Sequence, residues 1–433
     1  MTARTALRAL AALLVGTDVP LAAHAQDMAI TGGRVVIGDG SAPIENGTVL
    51  IRGGKVVAAG AGVAVPPGVP VVDAAGKWVT PGLVVAVTDL GLVDVSAVDE
   101  SNDTQADKAT FNAALDVSAA INPAAQPIVN ARANGVTRAA VAPLGTGAIF
   151  EGQGAVIDLG SDSRPVTVAR AFQYVELGED GARLAGGSRV AAYAVLKNAL
   201  DEAREIAAAP AGARRNDALL TRRDAAALIP VVTGKQPLYV HVERAADIRM
   251  ALSLKGDFPL LRLVIVGASE GWLAAQDLAA AGVPVLATPL NDLPARFEQL
   301  GATQSNVGRM AAAGVKVALG AYSGNSPVVT QYAGNLVALT RLPRASGLSW
   351  DKAFAAISSG PAEAMGMGDR LGSLRPGRAG DVVIWDGDPL EARSGVVRVW
   401  IDGTEQPLRS HQTRLRERYA EPQEGSLPKA YDW

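Results

Sequence analysis

The chain has 433 residues, 40 Lys+Arg against 43 Asp+Glu, no cysteine and three histidines. That length buries a large core. The balanced charge, with no dense basic run interleaved with aromatics, excludes a nucleic-acid surface and leaves a small molecule or another protein as the partner class. Stability must come without disulfides, and His24, His241 and His411 are the whole supply of imidazole.

Residues 1–25 place Arg4 and Arg8 before the apolar Ala9 to Val15 and end in Ala23-His24-Ala25. This is the layout of a secretory signal peptide cut after Ala25, which predicts a periplasmic or secreted protein. A disordered N-terminus is the alternative, because Asp18 interrupts the apolar region. No later segment carries about 18 uninterrupted apolar residues, so no membrane span is expected.

From Met28 the runs AITGGRVVIGDG, NGTVLIRGGKVVAAGAG and GVPVVDAAGKWVTPG alternate short β-rich stretches with Gly/Pro turns. They read as part of a small antiparallel module over 28–81. The texture returns in RLGSLRPGRAGDVVIWDGDPL and VVRVWIDGTEQPL, which supplies the second part over 370–408. Between them, 82–369 alternates apolar strands with helical stretches: PLYVHVE then RAADIRMALSLKG, LRLVIVG then SEGWLAAQDLAAAG, VKVALGAYS then NLVALTRLP. Such β-α units predict a parallel sheet covered by helices, either a (β/α)8 barrel or an open doubly wound sheet. YAVLKNALDEAREIAAA reads as an amphipathic helix with Glu202 and Arg204 on its polar face. The Gly-rich runs GTGAIFEGQG and GAYSGNSP lack a P-loop lysine and a dinucleotide fingerprint, so they read as βα-loops. Residues 409–433 form a charged tail ending in Tyr431 and Trp433, which could dock on a neighbouring subunit.

Taken in order, Lys77-Trp78-Val79-Thr80-Pro81-Gly82-Leu83, INPAAQPIVNARANGVTRAAVAP, EGQGAVIDLG, KQPLYVHVERAADI, LVIVGASEGWLAAQDLAAAGVPV and RLGSLRPGRAGDVVIWDGDPL make the chain resemble the amidohydrolase superfamily. More narrowly, it resembles the imidazolonepropionase-like branch. The resemblance covers roughly Met28 to Leu408. It implies a (β/α)8 TIM-type barrel with a small β-sandwich formed from both chain ends. It further implies hydrolysis of C–N bonds by water on zinc or a similar divalent metal, held by a His-x-His pair after strand 1, a His after each of strands 5 and 6, and an Asp after strand 8.

Carried onto this chain, that ligand set is mostly missing. Val87 and Asp89 stand where the paired histidines belong, Gly267 stands at the strand-6 histidine, and Tyr322 stands at the strand-8 aspartate. His241 survives at strand 5. Lys197 lies in a helical run and does not replace the lysine that bridges two metals in some relatives. A lone imidazole does not hold a catalytic metal, and without the aspartate nothing takes the proton from a nucleophilic water. The expectation is a degenerate, metal-free homologue with no cofactor, acting as a scaffolding or regulatory subunit in an oligomer with its own copies or with an active relative. Two alternatives stay open. One is an exported hydrolase of amide, ester or lactam bonds, using His241 with Asp89 and Ser323 or Ser269, or a makeshift metal site of Asp89, His241 and Glu243 or Glu270. The other is a small-ligand binding protein. Glu243, Glu270 and Ser323 are the further candidates for the pocket.

Overall fold

The computed structural model describes residues 26–95, 97–208, 216–320 and 329–420. The expected signal peptide, Tyr322, Ser323, Tyr431 and Trp433 therefore lie outside the described residues.

Eight strands make the central sheet. We label them β1 (Leu83–Thr88), β2 (Val136–Val141), β3 (Phe150–Asp158), β4 (Val166–Glu176), β5 (Leu238–Val242), β6 (Leu263–Gly267), β7 (Val285–Ala287) and β8 (Val317–Leu319). They are hydrogen-bonded in chain order from β1 to β8. Several read as continuous apolar runs, LVVAVT and LVIVG among them, with every residue buried, as strands covered on both faces require. Val84, Ala86, Ala140, Val156, Phe172, Tyr174, Tyr239, Val264, Val266, Leu286 and Ala318 fill the barrel interior, where the rings of Phe172 and Tyr239 stack at 4.2 Å. Alternate residues such as Leu83, Val85, Val240 and Ile265 join the larger core under the helices. The segment after helix Trp350–Ala355 spans the seam between β8 and β1: Leu319 N–H donates to Ala356 C=O at 2.9 Å and Val84 N–H to Ile357 C=O at 3.0 Å.

One feature departs from the all-parallel expectation. Strand β3 pairs antiparallel with both β2 and β4. GTGAIFEGQG is accordingly not a loop: Gly145–Thr146 is a short strand and Phe150 onward belongs to β3. Because β3 runs backwards, its N-terminal residues lie beside the C-terminal end of β4, at the barrel mouth.

Both chain ends meet in the second sheet. Trp78–Pro81 pairs antiparallel with Val382–Trp385, Met28–Val35 and Ile44–Arg52 extend it on one side, and Val396–Ile401 and Thr404–Glu405 on the other. This sheet curls around its own core of Ile30, Val49, Ile51, Val79, Val382 and Trp400. Val56 N–H donates to Arg378 C=O and Gly377 N–H to Val56 C=O across the curl. Buried Arg138 on β2 ties the barrel to it, bonding Asp381 at 2.7 and 2.9 Å and Asp402 at 2.8 Å.

The helix read from YAVLKNALDEAREIAAA spans Arg189–Ala208, but Glu202 is not on a polar face. It is buried and accepts from Asn198 Nδ2 and from the backbone N–H groups of Leu219 and Leu220. These two donors at the entry to helix Arg222–Val232 draw the carboxylate inward, since a buried carboxylate must find hydrogen-bond partners. Lys197 pairs at the helix surface with Asp257, 2.7 Å away.

Candidate functional site

The site is built at the C-terminal ends of β4, β5 and β6. In β4, Phe172 and Tyr174 face the interior, and the strand period of two sends Glu176 the same way. The ladder sets Glu176 directly opposite His241 of β5. His241 Nδ1 lies 2.9 and 2.8 Å from the two Glu176 oxygens, and Nε2 lies 3.3 Å from Glu243 Oε1. Glu243 in turn accepts Ser269 N–H at 2.7 Å. Side-chain exposures of 24% for His241, 15% for Glu176 and 7% for Glu243 show a cluster largely shielded from solvent.

Electrostatics fix the charge state. Burial opposes a charge on His241, but Glu176 and then Glu243 outweigh it and hold the imidazole well above its usual 6.5. Burial likewise works against the Glu243 carboxylate, yet His241 and Ser269 keep its pKa below the ordinary value. The arrangement favours an imidazolium that donates Nδ1–H to Glu176 and faces Glu243 through Nε2 as an ion pair. Two further groups line it. Burial and the charge of Glu176 push Glu151, from the reversed strand β3, up to about 8. The Tyr174 phenol is pushed well above its usual value by burial and by Glu176, Glu151 and Glu243.

Gly267 explains how this arrangement fits. A Cβ built there would lie 2.8 Å from Glu243 Oε1 and 2.9 Å from His241 Nε2, and the residue has φ of +87°. The Glu243 carboxylate therefore occupies the space that a strand-6 side chain would need. Val87 is buried among the apolar interior residues and offers no donor. Asp89 is half-buried at the end of β1, and His241 finds its carboxylates in Glu176 and Glu243 rather than there. Ser269 Oγ accepts from Asn291 Nδ2. The structure does not bring Glu270 into the cluster. Its oxygens accept Ala245 N–H and Gly301 N–H, pinning two loops.

A zinc-type ion does not fit these donors. Both nitrogens of the one imidazole are spent on carboxylates, and among the described residues no three His, Asp or Glu side chains are arranged to hold a metal. Glu176, Glu151 and Tyr174 were not singled out from the sequence. The signal for Glu176 was its parity with Phe172 and Tyr174 in FQYVE. Glu151 carried none, because only the reversal of β3 brings it to the mouth.

Comparison with known proteins gives the lineage. A family model described as the amidohydrolase family matches residues 197–405. Amidohydrolase tasK of Hapsidospora irregularis is 47% identical over 60 residues, which span 14% of this chain and 6% of that protein. The crystal structure of an amidohydrolase from Thermotoga maritima MSB8 superposes with a TM-score of 0.76 at 25% identity, covering 87% of this chain and 99% of that one. Molinate hydrolase shares the fold at a TM-score of 0.52 and 18% identity, covering 95% and 99%. The (β/α)8-type barrel, the sheet from both chain ends and the family match agree on one assignment: the chain belongs to the amidohydrolase superfamily.

Proposed function

We propose that the protein is a catalytically degenerate, metal-independent member of the imidazolonepropionase-like branch. It serves as a scaffolding or regulatory subunit, exported and assembled with its own copies or with a relative that keeps the metal ligands. The observation that carries this reading is the Glu176–His241–Glu243 clamp. An imidazolium with both N–H groups engaged has no lone pair for a metal or for a substrate proton. The same point weighs against a serine hydrolase built on His241, because a nucleophile needs a neutral base within hydrogen-bond reach. The outer helices and the sheet from the chain ends do not depend on the site, so assembly surfaces can persist when catalysis is gone.

The test is an assay of the purified protein against amide, ester and lactam substrates, with and without added Zn²⁺, Mn²⁺ or Co²⁺. Light scattering after co-expression with a metal-competent relative accompanies it. No turnover in any metal and a stable assembly are expected. Metal-dependent turnover would overturn the degenerate reading, and a strict monomer that captures no relative would overturn the subunit role.

A further inference from the structure

The N-terminal ends of β6, β7 and β8, at the opposite end of the barrel from His241, border a cavity of about 820 Å³. That size lies within the roughly 300–1,000 Å³ of small-ligand pockets. Helices Ala245–Asp257, Trp350–Ala355 and Ser359–Ala364 contribute to its walls, as does the loop at Asp39 and Gly40 in the second sheet. Lys255, Arg262, Lys316 and Lys352 line it, against the acids Asp39 and Glu363. Asp39 is already bonded to Arg375 at 2.9 Å, and Lys255 Nζ donates to the Ala281 carbonyl at 3.0 Å. Arg262, Lys316 and Lys352 make no ion pair among the described residues, whereas Arg138, Arg189, Arg249 and Arg296 are all paired.

Strand geometry aims two of these cations at one space. Val264 and Ala318 face the barrel interior, so Arg262 and Lys316, each two residues earlier, share that side by the strand period of two. The ladder still holds there: Leu238 N–H donates to Arg262 C=O and Val285 N–H to Lys316 C=O, both at 2.9 Å. The register sets Lys316 level with Val264 across β7. Two strand spacings sideways and two residues along the strand then separate the Arg262 and Lys316 Cα atoms by about 12 Å, so both long side chains reach a ligand held between them. The fold does not require the charge at 316. The unit AAAGVPV before β7 returns as AAAGVKV before β8, and Val285 pairs with Val317, so Pro284 fills the place in β7 that Lys316 holds in β8.

We propose that this cavity binds a small organic polyanion, a molecule carrying at least two phosphate or carboxylate groups. The Arg262 guanidinium offers parallel N–H donors to one oxyanion group, and Lys316 and Lys352 supply compact charges for a second. Val264, Val283, Val315 and Leu348 give the body of the ligand an apolar wall. Glu363 lines the same cavity and opposes an anion there, a sign that a general basic surface would not show. The inference uses no part of the His241 cluster and stands whether or not the barrel mouth is catalytic.

The probes are pyrophosphate and citrate, titrated calorimetrically into the full chain without divalent metal, with inorganic phosphate as the single-group comparison. At least one probe should bind once per chain with a Kd below about 1 mM, and inorganic phosphate at least about tenfold more weakly. A tighter pyrophosphate assigns a phosphate ligand, and a tighter citrate a carboxylate one. Lys316 and Lys352 are exposed, so K316Q and K352Q should each weaken binding about two- to fivefold, as the loss of one exposed ion pair does. R262Q should weaken it about tenfold, because a forked donor pair is lost. E363Q should tighten it about two- to fivefold. K108Q removes an exposed lysine beside the short strand Gln105–Ala106, in the loops at the other end of the barrel, and should change nothing. Should R262Q not fold, the two lysine variants and E363Q decide. No saturable binding of either probe, equal binding of inorganic phosphate, an affinity unmoved by K316Q and K352Q, or a loss in K108Q equal to theirs would each overturn the inference. So would an E363Q variant that binds no more tightly than the unsubstituted protein.

Discussion

Replacing His241 by alanine removes the cation between two carboxylates that the fold keeps largely from solvent. Glu243 has a side-chain exposure of 7% and Glu176 of 15%, so neither recovers full hydration when the imidazolium goes. Breaking a buried ion pair by deleting one partner costs about 3–5 kcal/mol, mostly from the charge left behind. At about 2.1 cal/mol/K per residue, unfolding entropy for 433 residues is roughly 0.9 kcal/mol/K, so the melting temperature should fall by about 3–6 °C. Calorimetry near pH 6 is the assay. The pH dependence has a definite sign. The folded imidazole keeps its proton after the unfolded one loses it, so its stabilisation is complete below about 6.5 and is lost as pH rises towards the folded pKa. The gap between the two proteins should therefore narrow above neutral pH. H241A combined with E176Q and E243Q should recover much of the loss, since no buried charge then stands alone. A loss below about 1 kcal/mol for H241A alone, or no recovery in the triple variant, would refute the clamp.

Gly267→His would add a second imidazole beside His241, yet it should destabilise by at least about 1–3 kcal/mol for the backbone conformation alone and bind no metal, as urea unfolding and zinc titration would show. Arg138→Met strands Asp381 beneath the barrel and should cost about 3–5 kcal/mol, read in the same unfolding experiment. Glu151 holds its proton to about 8 in the folded chain against 4.5 ordinarily, so its contribution to stability falls as pH rises between those values. E151Q should flatten the stability profile across that window. Glu202→Ala, by removing a buried carboxylate that accepts the backbone N–H groups of Leu219 and Leu220, should cost about 1–3 kcal/mol and speed hydrogen exchange at the start of helix Arg222–Val232.

The barrel was legible because its signals are local and repeated: buried runs such as LVIVG, followed by helices of regular length, survive any detail of pairing. The joining of the two chain ends was legible from their shared turn-rich texture. The reversal of β3 was not, since strand direction depends on which neighbours pair and EGQGAVIDLG reads identically either way. At the site, the sequence singled out His241 and Gly267, which the structure sets next to each other on β5 and β6. The carboxylates around His241 stayed hidden, because Glu176 is 65 residues from His241 in the chain and only the β4–β5 register brings them face to face. Glu202 misled for a related reason. A charged residue in a helix pattern reads as solvated until the loop that needs its oxygens is in place.

In the proposed reading a protonated His241, paired with Glu176 and Glu243, takes the place of a metal site. Nitrogen-15 NMR of the histidine-labelled full chain, before and after incubation with excess Zn²⁺ and dialysis, tests it most directly. The expected result is an imidazolium spectrum for His241 with both nitrogens protonated above neutral pH, unchanged by zinc, and well under one zinc retained per chain. A neutral imidazole at that pH, or a zinc-shifted nitrogen resonance with stoichiometric retained metal, would contradict it.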